Sequence, residues 1–310
     1  MQYRLLIIGG TGFIGSHLTQ KAIESSLAVS VVSLHVPRDN DKIEGVTYIK
    51  ADIGNMSQLK ENLSSRKFEY VVNLSGYISH NSFLNGGIKL MRDHFFGLQN
   101  ILQVIHWPTL KRFVQIGSSD EYGGQLSPQN ESMRESPISP YSSAKVASSH
   151  FLQMLEKTEN LPVVILRLFL VYGPGQDSDR FLPQIIKGCF SGVECDASSG
   201  EQLRDFIYVK DVVEVLTFMM REKKENGLYN LGSGKARSFK ALVNATFKAL
   251  GKESAISYID TPEDIRDKYQ YYTQANMKKL ILAGYSKSFT DLESGVKDYV
   301  QNYLIDKSYY

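Results

Sequence analysis

The chain has 310 residues, of which 42% are hydrophobic and 22% are charged, and its formal net charge is +2 at pH 7. This composition excludes disordered and fibrous proteins, and the balanced charge without a basic block argues against nucleic-acid binding. No apolar run is long enough to span a membrane or to act as a signal peptide. The two cysteines, Cys189 and Cys195, lack metal-ligand spacing, so we expect no metal site and a reducing cytoplasm.

Short apolar runs alternate with helical patterns through the first half of the chain. The first run leads directly into a glycine turn, and a helical pattern over 14–23 follows it. Runs of this kind are typical of strands that are buried on both faces of a parallel sheet. Six strands are predicted, at residues 5–8, 29–34, 47–49, 70–74, 112–116 and 163–169. The alternation predicts an α/β fold with a Rossmann-type, doubly wound parallel sheet.

Three glycines mark the turn after the first predicted strand, in the motif Gly9-Gly-Thr-Gly12-Phe13-Ile14-Gly15. Glycines at such a turn allow a tight bend, the close approach of a pyrophosphate and close packing of the helix. Their spacing differs from that of ordinary dehydrogenases, and a flexible turn is the simpler alternative. The position directly after a buried strand favours a dinucleotide site.

The acidic residue that usually selects NAD is missing at the end of the second predicted strand. An acid there would accept hydrogen bonds from the adenosine ribose, but this place is Ser33. Arg38 or His35 could meet a 2′-phosphate, although Arg38 could also be a solvated loop cation. Asp52, after the third strand, could reach the adenine edge. The sequence therefore leaves NAD and NADP both open.

The pattern changes beyond residue 170, where loops rich in glycine, proline, aspartate and serine appear. Helical patterns follow near residues 211–221, 239–250 and 291–304. The change predicts a dinucleotide-binding domain over 1–169 and a smaller α/β domain over 170–310. Some segments around 204–225 are expected to return to the first domain.

A tyrosine and a lysine lie four residues apart in Tyr141-Ser-Ser-Ala-Lys145. On a helix this spacing puts both side chains on one face, where the ammonium favours the phenolate form of the tyrosine. A tyrosine prepared in this way can take a proton from an alcohol. Alone the pattern is a weak signal, since an ordinary pair on a helix surface has the same spacing. The glycine motif strengthens it.

Five motifs, in the right order, resemble the extended short-chain dehydrogenase/reductase family, and within it the nucleotide-sugar epimerases and dehydratases. They are the glycine motif, Gly117-Ser-Ser-Asp-Glu-Tyr-Gly123, the Tyr141–Lys145 pair, Leu166-Arg-Leu-Phe-Leu-Val-Tyr-Gly-Pro174 and Arg204-Asp-Phe-Ile-Tyr-Val-Lys-Asp211. The resemblance implies an enzyme with NAD or NADP in the N-terminal domain, NAD being slightly favoured. It also implies that the C-terminal domain binds a nucleoside diphosphate sugar.

The resemblance implies a role for each matching residue. Tyr141 would take the proton of a sugar hydroxyl, Lys145 would hold the nicotinamide ribose, and Ser118 would hydrogen-bond the reacting oxygen. Ser118 is found by counting back from Tyr122-Gly123, so a slip of one residue stays open. The expected cofactor contacts are Gly9, Gly12, Phe13, Ile14, Gly15, Ser33, Arg38, Asp52, Ile53, Ser75, Tyr141 and Lys145. The expected substrate contacts are Ser79, His80, Ser119, Arg204 and Arg266.

Three positions depart from the family pattern. Asp120 lies where dehydratases and decarboxylases carry a catalytic glutamate, and its shorter side chain makes water elimination a weaker prediction; a loop cap is the alternative role. Leu170 replaces an asparagine that contacts substrate. The C-terminal part resembles the ADP-glycero-manno-heptose 6-epimerase family, but Asp179 stands where that family has a second catalytic lysine.

We therefore expect hydride transfer at C4 of a nucleoside diphosphate hexose or heptose, giving dehydrogenation, reduction or 4-epimerisation. A nucleotide-sugar 4,6-dehydratase and a non-catalytic dinucleotide-binding regulator are the alternatives. The helical faces at residues 88–105 and 141–155, together with the resemblance, predict a homodimer. No nucleic acid or membrane partner is expected.

Overall fold

A computed structural model describes residues 2–79, 81–177, 181–191, 195–196, 200–221, 225–258 and 271–305. The strands are β1 (Arg4–Ile8), β2 (Ala28–Ser33), β3 (Thr47–Lys50), β4 (Tyr70–Asn73), β5 (Arg112–Ser118), β6 (Val163–Leu168), β7 (Leu170–Tyr172), β8 (Cys195–Asp196), β9 (Leu203–Tyr208), β10 (Gly227–Leu231), β11 (Ala236–Ser238) and β12 (Ile256–Ser257). The α-helices are α1 (Phe13–Glu24), α2 (Met56–Leu63), α3 (Ile88–Met91), α4 (Gly97–Val104), α5 (Pro140–Glu159), α6 (Phe181–Ser191), α7 (Val209–Arg221), α8 (Phe239–Ala249), α9 (Lys278–Leu282) and α10 (Leu292–Tyr299).

Seven strands form one sheet in the order β10-β6-β5-β4-β1-β2-β3. The pairs from β6 to β3 are all parallel. The strand order reverses direction at β1, and in doubly wound sheets ligands bind beyond the carboxyl ends of the strands at this point. The predicted doubly wound α/β fold is confirmed, and the six predicted strands correspond to β1 to β6.

The central strands are apolar because helices cover both faces of the sheet. Leu5, Leu6 and Ile7 of β1 are completely buried, so side chains that point to opposite faces are equally shielded from water. Leu6 packs in a core with Val71 of β4 and Phe113 of β5. Burial on both faces explains the continuous apolar runs in the sequence.

The chain divides into two compact units. The first comprises 1–123, 131–168 and 213–229, and the second comprises 124–130, 169–212 and 230–310. The second unit contains the sheet β11-β9-β7, in which β9 pairs antiparallel with β11 and parallel with β7, and the parallel pair β12-β8. The assignment of these units to cofactor and substrate stays a prediction.

Three chain segments that carry predicted site residues leave the carboxyl ends of strands in the first unit. The glycine turn follows β1, Ser75 comes two residues after β4, and Ser118 is the last residue of β5. Helix α5 carries Tyr141 and Lys145 and packs against β5 and β6. Among the described residues, no helix is long and apolar enough to cross a membrane.

Candidate functional site

The turn between β1 and α1 disfavours a side chain at two of its glycines, through the backbone conformation at Gly9 and through lack of space at Gly15. Gly9 has φ +79°, and a Cβ there would lie 3.1 Å from the backbone carbonyl carbon of Leu74. A Cβ on Gly15 would lie 2.2 Å from the carbonyl oxygen of Gly9, which is far inside van der Waals contact. Gly12 is the N-cap residue of α1 and provides no side-chain cap. The first-turn N–H groups of α1 can therefore bind an anion, as the pyrophosphate of a dinucleotide requires.

The Ser33 side chain hydrogen-bonds to the same turn and does not extend into solvent. Its Oγ accepts a hydrogen bond from the backbone N–H of Thr11 at 3.4 Å, and the side chain is almost completely buried. His35 and Arg38 are exposed in the loop that follows β2. The side chains of His35 and Arg38 are thus available to solvent after β2, whereas the Ser33 hydroxyl supports the glycine turn.

Phe13 and Ile14 begin helix α1, and three further predicted cofactor contacts, Asp52, Ile53 and Ser75, lie in loops of the first unit. Asp52 is exposed, and its Oδ1 accepts from the N–H of Gly54 at 2.8 Å. The carbonyl oxygen of Ile53 accepts from Asn100 at 2.9 Å. The Ser75 hydroxyl donates to Oδ1 of Asn73 at 2.5 Å. Each is held by local hydrogen bonds, and their contact with a cofactor stays a prediction.

Helix α5 holds the predicted proton-transfer pair in a buried position. Ser139 caps the helix by accepting from the N–H of Ser142 at 3.1 Å, and Pro140 occupies the first turn. Tyr141 and Lys145 are each only 5% exposed, and the Lys145 Nζ lies 5.7 Å from the centre of the Tyr141 ring. Nζ donates to the carbonyl oxygen of Ile116 in β5 at 2.9 Å. The structure therefore brings the pair together beside the end of β5.

Lys145 is a buried ammonium, and its environment changes its proton affinity. Burial lowers the pKa of Lys145 to about 8, and the negative charge of Glu121 opposes this effect. A lysine with this pKa is mainly charged at neutral pH. Its positive charge favours the phenolate form of the neighbouring tyrosine.

His94 is a neighbour of Tyr141 that the sequence analysis missed. Its ring lies 5.6 Å from the Tyr141 ring, edge to face at 87°, and its Nε2 is 3.0 Å from the carbonyl oxygen of Tyr77. A Cβ on Gly76 would lie 2.3 Å from the His94 ring, so glycine is needed there. Burial, and then the charge of Lys145, lower the pKa of His94 to about 3. The imidazole beside Tyr141 is consequently neutral.

Ser118 ends β5 and begins a tight turn. Its Oγ accepts from the N–H of Asp120 at 3.2 Å, while its own N–H donates to Oε1 of Glu121 at 2.9 Å. Ser118 is 9% exposed, whereas Ser119 and Asp120 are half-buried. The helix that carries Tyr141 packs against this turn. The choice of Ser118 as the substrate-facing serine stays a prediction.

Two completely buried charged residues, Glu121 in this turn and Arg167 on β6, had no predicted role. The Arg167 Nε of β6 donates to Oε2 of Glu121 at 2.9 Å, and its terminal nitrogen donates to Glu135 at 2.6 Å. The guanidinium lies 4.5 Å from the centre of the Tyr122 ring. In the sequence, the feature that could have indicated this buried pair was an arginine within an otherwise apolar strand.

The predicted substrate contacts are only partly described. Ser79 accepts from the N–H of Asn81 at 3.3 Å in the first unit. Arg204 belongs to the second unit, where it lies on β9, donates to the carbonyl oxygen of Leu203 at 3.0 Å and stands 5.9 Å from the Phe239 ring. His80, Arg266 and Asp179 lie outside the described residues. No cluster of His, Cys, Asp or Glu in the described part of the chain could hold a metal ion.

The sequence pattern of the NAD dependent epimerase/dehydratase family matches residues 5–232. The chain belongs to this family. An ADP-L-glycero-D-manno-heptose-6-epimerase of Brachyspira hyodysenteriae is 30% identical over 317 residues, which cover 98% of each chain. The predicted short-chain dehydrogenase/reductase-type enzyme is confirmed, and so is the resemblance to the heptose 6-epimerases.

Solved structures of sugar-nucleotide epimerases share the fold of this epimerase/dehydratase family member. UDP-glucose 4-epimerase of Thermotoga maritima has a TM-score of 0.88 and 24% identity, covering 98% of this chain and 100% of that one. UDP-N-acetylglucosamine 4-epimerase of Methanobrevibacter ruminantium has a TM-score of 0.87 and 23% identity, covering 99% of each chain.

The glycine turn fits the cofactor class in the family name, because it combines an uncapped helix N-terminus with positions where a Cβ would collide. A bound nicotinamide would supply the acceptor or donor of hydride. Tyr141 and Lys145 stay the predicted groups for the proton chemistry. This arrangement can oxidise an alcohol or reduce a ketone.

Proposed function

We propose that this protein transfers hydride at C4 of a nucleoside diphosphate hexose or heptose, with NAD or NADP as cofactor. The net reaction is 4-epimerisation, dehydrogenation or reduction of the sugar. The observation that carries the proposal is the buried Tyr141–Lys145 pair on α5, joined to β5 through the Ile116 carbonyl oxygen. The 4-epimerases that share this fold support the choice of C4.

Each residue of the proposed site has a defined role. Tyr141 takes the proton of the C4 hydroxyl when the alcohol is oxidised and returns it when the ketone is reduced. Lys145 keeps the phenolate accessible near neutral pH and binds the nicotinamide ribose. Ser118 hydrogen-bonds the reacting oxygen and stabilises the charge that develops on it. His94 stays neutral and adds no second positive charge beside Tyr141.

The substrate and the net reaction can be tested in one experiment. The protein is incubated with NAD or NADP and with ADP-, GDP-, CDP-, UDP- and dTDP-linked hexoses and heptoses in deuterated water. Mass spectrometry detects loss of water or exchange beside a ketone, absorbance detects net oxidation, and NMR detects inversion at C4. Loss of water would show that the enzyme is a dehydratase instead. Absence of turnover with every sugar would contradict the proposal and favour a non-catalytic regulator.

Tyr141→Phe is the decisive variant, because it removes the phenolic oxygen and keeps the ring. We expect turnover to fall by about 10²- to 10⁴-fold, the usual contribution of a general base. Tyr258→Phe is the matched control, since Tyr258 is 50% exposed in the second unit and has no proposed role. Turnover at the wild-type rate in Tyr141→Phe would show that the proposed mechanism is wrong.

We also propose that the enzyme is a cytoplasmic homodimer. Ile88 of α3 is 46% exposed, Phe96 is 53% exposed and Met154 of α5 is 42% exposed, so large apolar side chains face solvent on these helices. Burying such side chains against a second copy would be favourable. A monomer in analytical ultracentrifugation at micromolar concentration would contradict the dimer.

A further inference from the structure

Glu121 is a completely buried carboxylate that the proposed mechanism does not use. Its Oε1 accepts from the N–H of Ser118 at 2.9 Å. Its Oε2 accepts from the Ser149 hydroxyl at 2.9 Å and from Arg167 Nε at 2.9 Å. Both oxygens therefore act as acceptors, and one side chain reaches the turn after β5, helix α5 and strand β6.

The contact with α5 falls on the face that carries the proposed proton-transfer pair. Ser149 follows Lys145 by four residues and Tyr141 by eight, so the three side chains project from one side of the helix. The neighbouring Gly117 leaves space for the carboxylate, because a Cβ there would lie 2.6 Å from Oε1 of Glu121. The carboxylate thus connects the backbone of Ser118 to the helix face of Tyr141.

A completely buried carboxylate needs a partner of opposite charge, and Arg167 is the partner of Glu121. Arg167 is completely buried and also pairs with Glu135 at 2.6 Å. Among the described hydrogen bonds, none joins the Glu135 side chain to Ser118. Buried ion pairs add little stability compared with apolar packing of the same volume, because both ions lose their hydration. Their presence behind Ser118 therefore calls for a role other than stability.

We propose that Glu121 is a positioning residue of the hydride-transfer site. It holds Ser118 and the reactive face of α5 in one fixed relation, so that the Ser118 hydroxyl and the Tyr141 phenol address the same substrate oxygen. Arg167 pairs with this carboxylate in the interior. This inference rests on the proposed function, because it assigns Ser118 and Tyr141 to one reaction.

The Glu121→Gln variant tests the hydrogen bonds of Glu121 without changing the size of the side chain. Glutamine has one acceptor oxygen where glutamate has two, so an NH₂ group must face a donor on one side. The oxygen turns to the charged Arg167, where the hydrogen bond is stronger, and the NH₂ group then faces the N–H of Ser118. Glu135→Gln is the matched control, since it makes the same change at the other partner of Arg167.

We expect the N–H of Ser118 to exchange with deuterated solvent about tenfold faster in Glu121→Gln, as loss of one hydrogen bond predicts. With the nucleotide sugar turned over by the wild type, kcat should fall by about 10- to 100-fold with little change in KM. The affinity for NAD and NADP should stay unchanged. Glu135→Gln should lower the thermal stability but leave Ser118 exchange and kcat near wild-type values.

Ser149→Ala gives a second test, because it removes only the hydroxyl that links Glu121 to α5. We expect a fall in kcat of about two- to tenfold in this variant, and it decides the question if Glu121→Gln does not fold. Wild-type exchange and kcat in Glu121→Gln, or equal losses in Glu135→Gln, would overturn the proposal. Lack of wild-type turnover would contradict the proposed function alone, and Ser118 exchange would still show whether Glu121 holds the turn.

Discussion

The buried imidazole of His94 makes the stability of the first unit depend on pH. Burial and the charge of Lys145 lower the pKa of His94 from 6.5 to about 3 in the folded chain. Between these two values the unfolded chain binds the proton and the folded chain does not. Acidification therefore favours the unfolded chain, and this contribution to stability is lost as the pH falls through 6.5 toward 3.

The size of the effect follows from the two pKa values. Each pH unit within this interval is worth about 1.4 kcal/mol, so lowering the pH from 7 to 5 removes about 2 kcal/mol of unfolding free energy through this one group. His94→Phe keeps an aromatic ring beside Tyr141 but cannot bind a proton. Its unfolding free energy should fall by about 2 kcal/mol less than that of the wild type over the same interval.

The unfolding free energy of the first unit can be measured through a fluorescent residue within it. Trp107 is the only tryptophan of the chain, it packs against the core of this unit, and its Nε1 donates to the Leu102 carbonyl oxygen at 2.8 Å. Urea unfolding followed by its fluorescence at pH 7 and pH 5 gives the free energies. His94→Gln, a second variant without a titrating ring, should behave like His94→Phe. Equal losses in the wild type and both variants would refute the reasoning.

Two further predictions concern the glycine turn and Lys145. Gly15→Ala would place a Cβ 2.2 Å from the Gly9 carbonyl oxygen, so we expect a stability loss of about 1–3 kcal/mol and much weaker binding of NAD and NADP in calorimetry. Gly124→Ala is the control, because a Cβ at Gly124 would meet no atom within 4 Å. Normal cofactor binding by Gly15→Ala would contradict this prediction. The wild-type kcat/KM should decline above about pH 8 as Lys145 loses its proton. The Lys145→Arg variant should be slower, but its kcat/KM should not decline at this pH because arginine keeps its charge. A decline at the same pH in both proteins would implicate another group.

Local patterns in the sequence were sufficient to predict the fold, which the structure confirms, and to predict the central pair of the proposed site. The apolar runs predicted β1 to β6 because a strand buried on both faces must be apolar throughout. The spacing of Tyr141 and Lys145 placed both on one helix face because helical geometry alone relates residues four apart. The glycines after β1 indicated a dinucleotide because their lack of side chains is a property of the residues themselves.

The surroundings of that pair depended on the tertiary structure, because they join residues that are distant along the chain. Glu121 and Arg167 are 46 positions apart, and the sequence showed only an acid in a turn and an isolated arginine in a strand. His94 carries no spacing signal, and its neutral state follows from burial beside Lys145. Sequence alone predicted which groups carry the chemistry. Folding decided which charges and hydrogen bonds surround them, since both depend on distance and on exclusion of water.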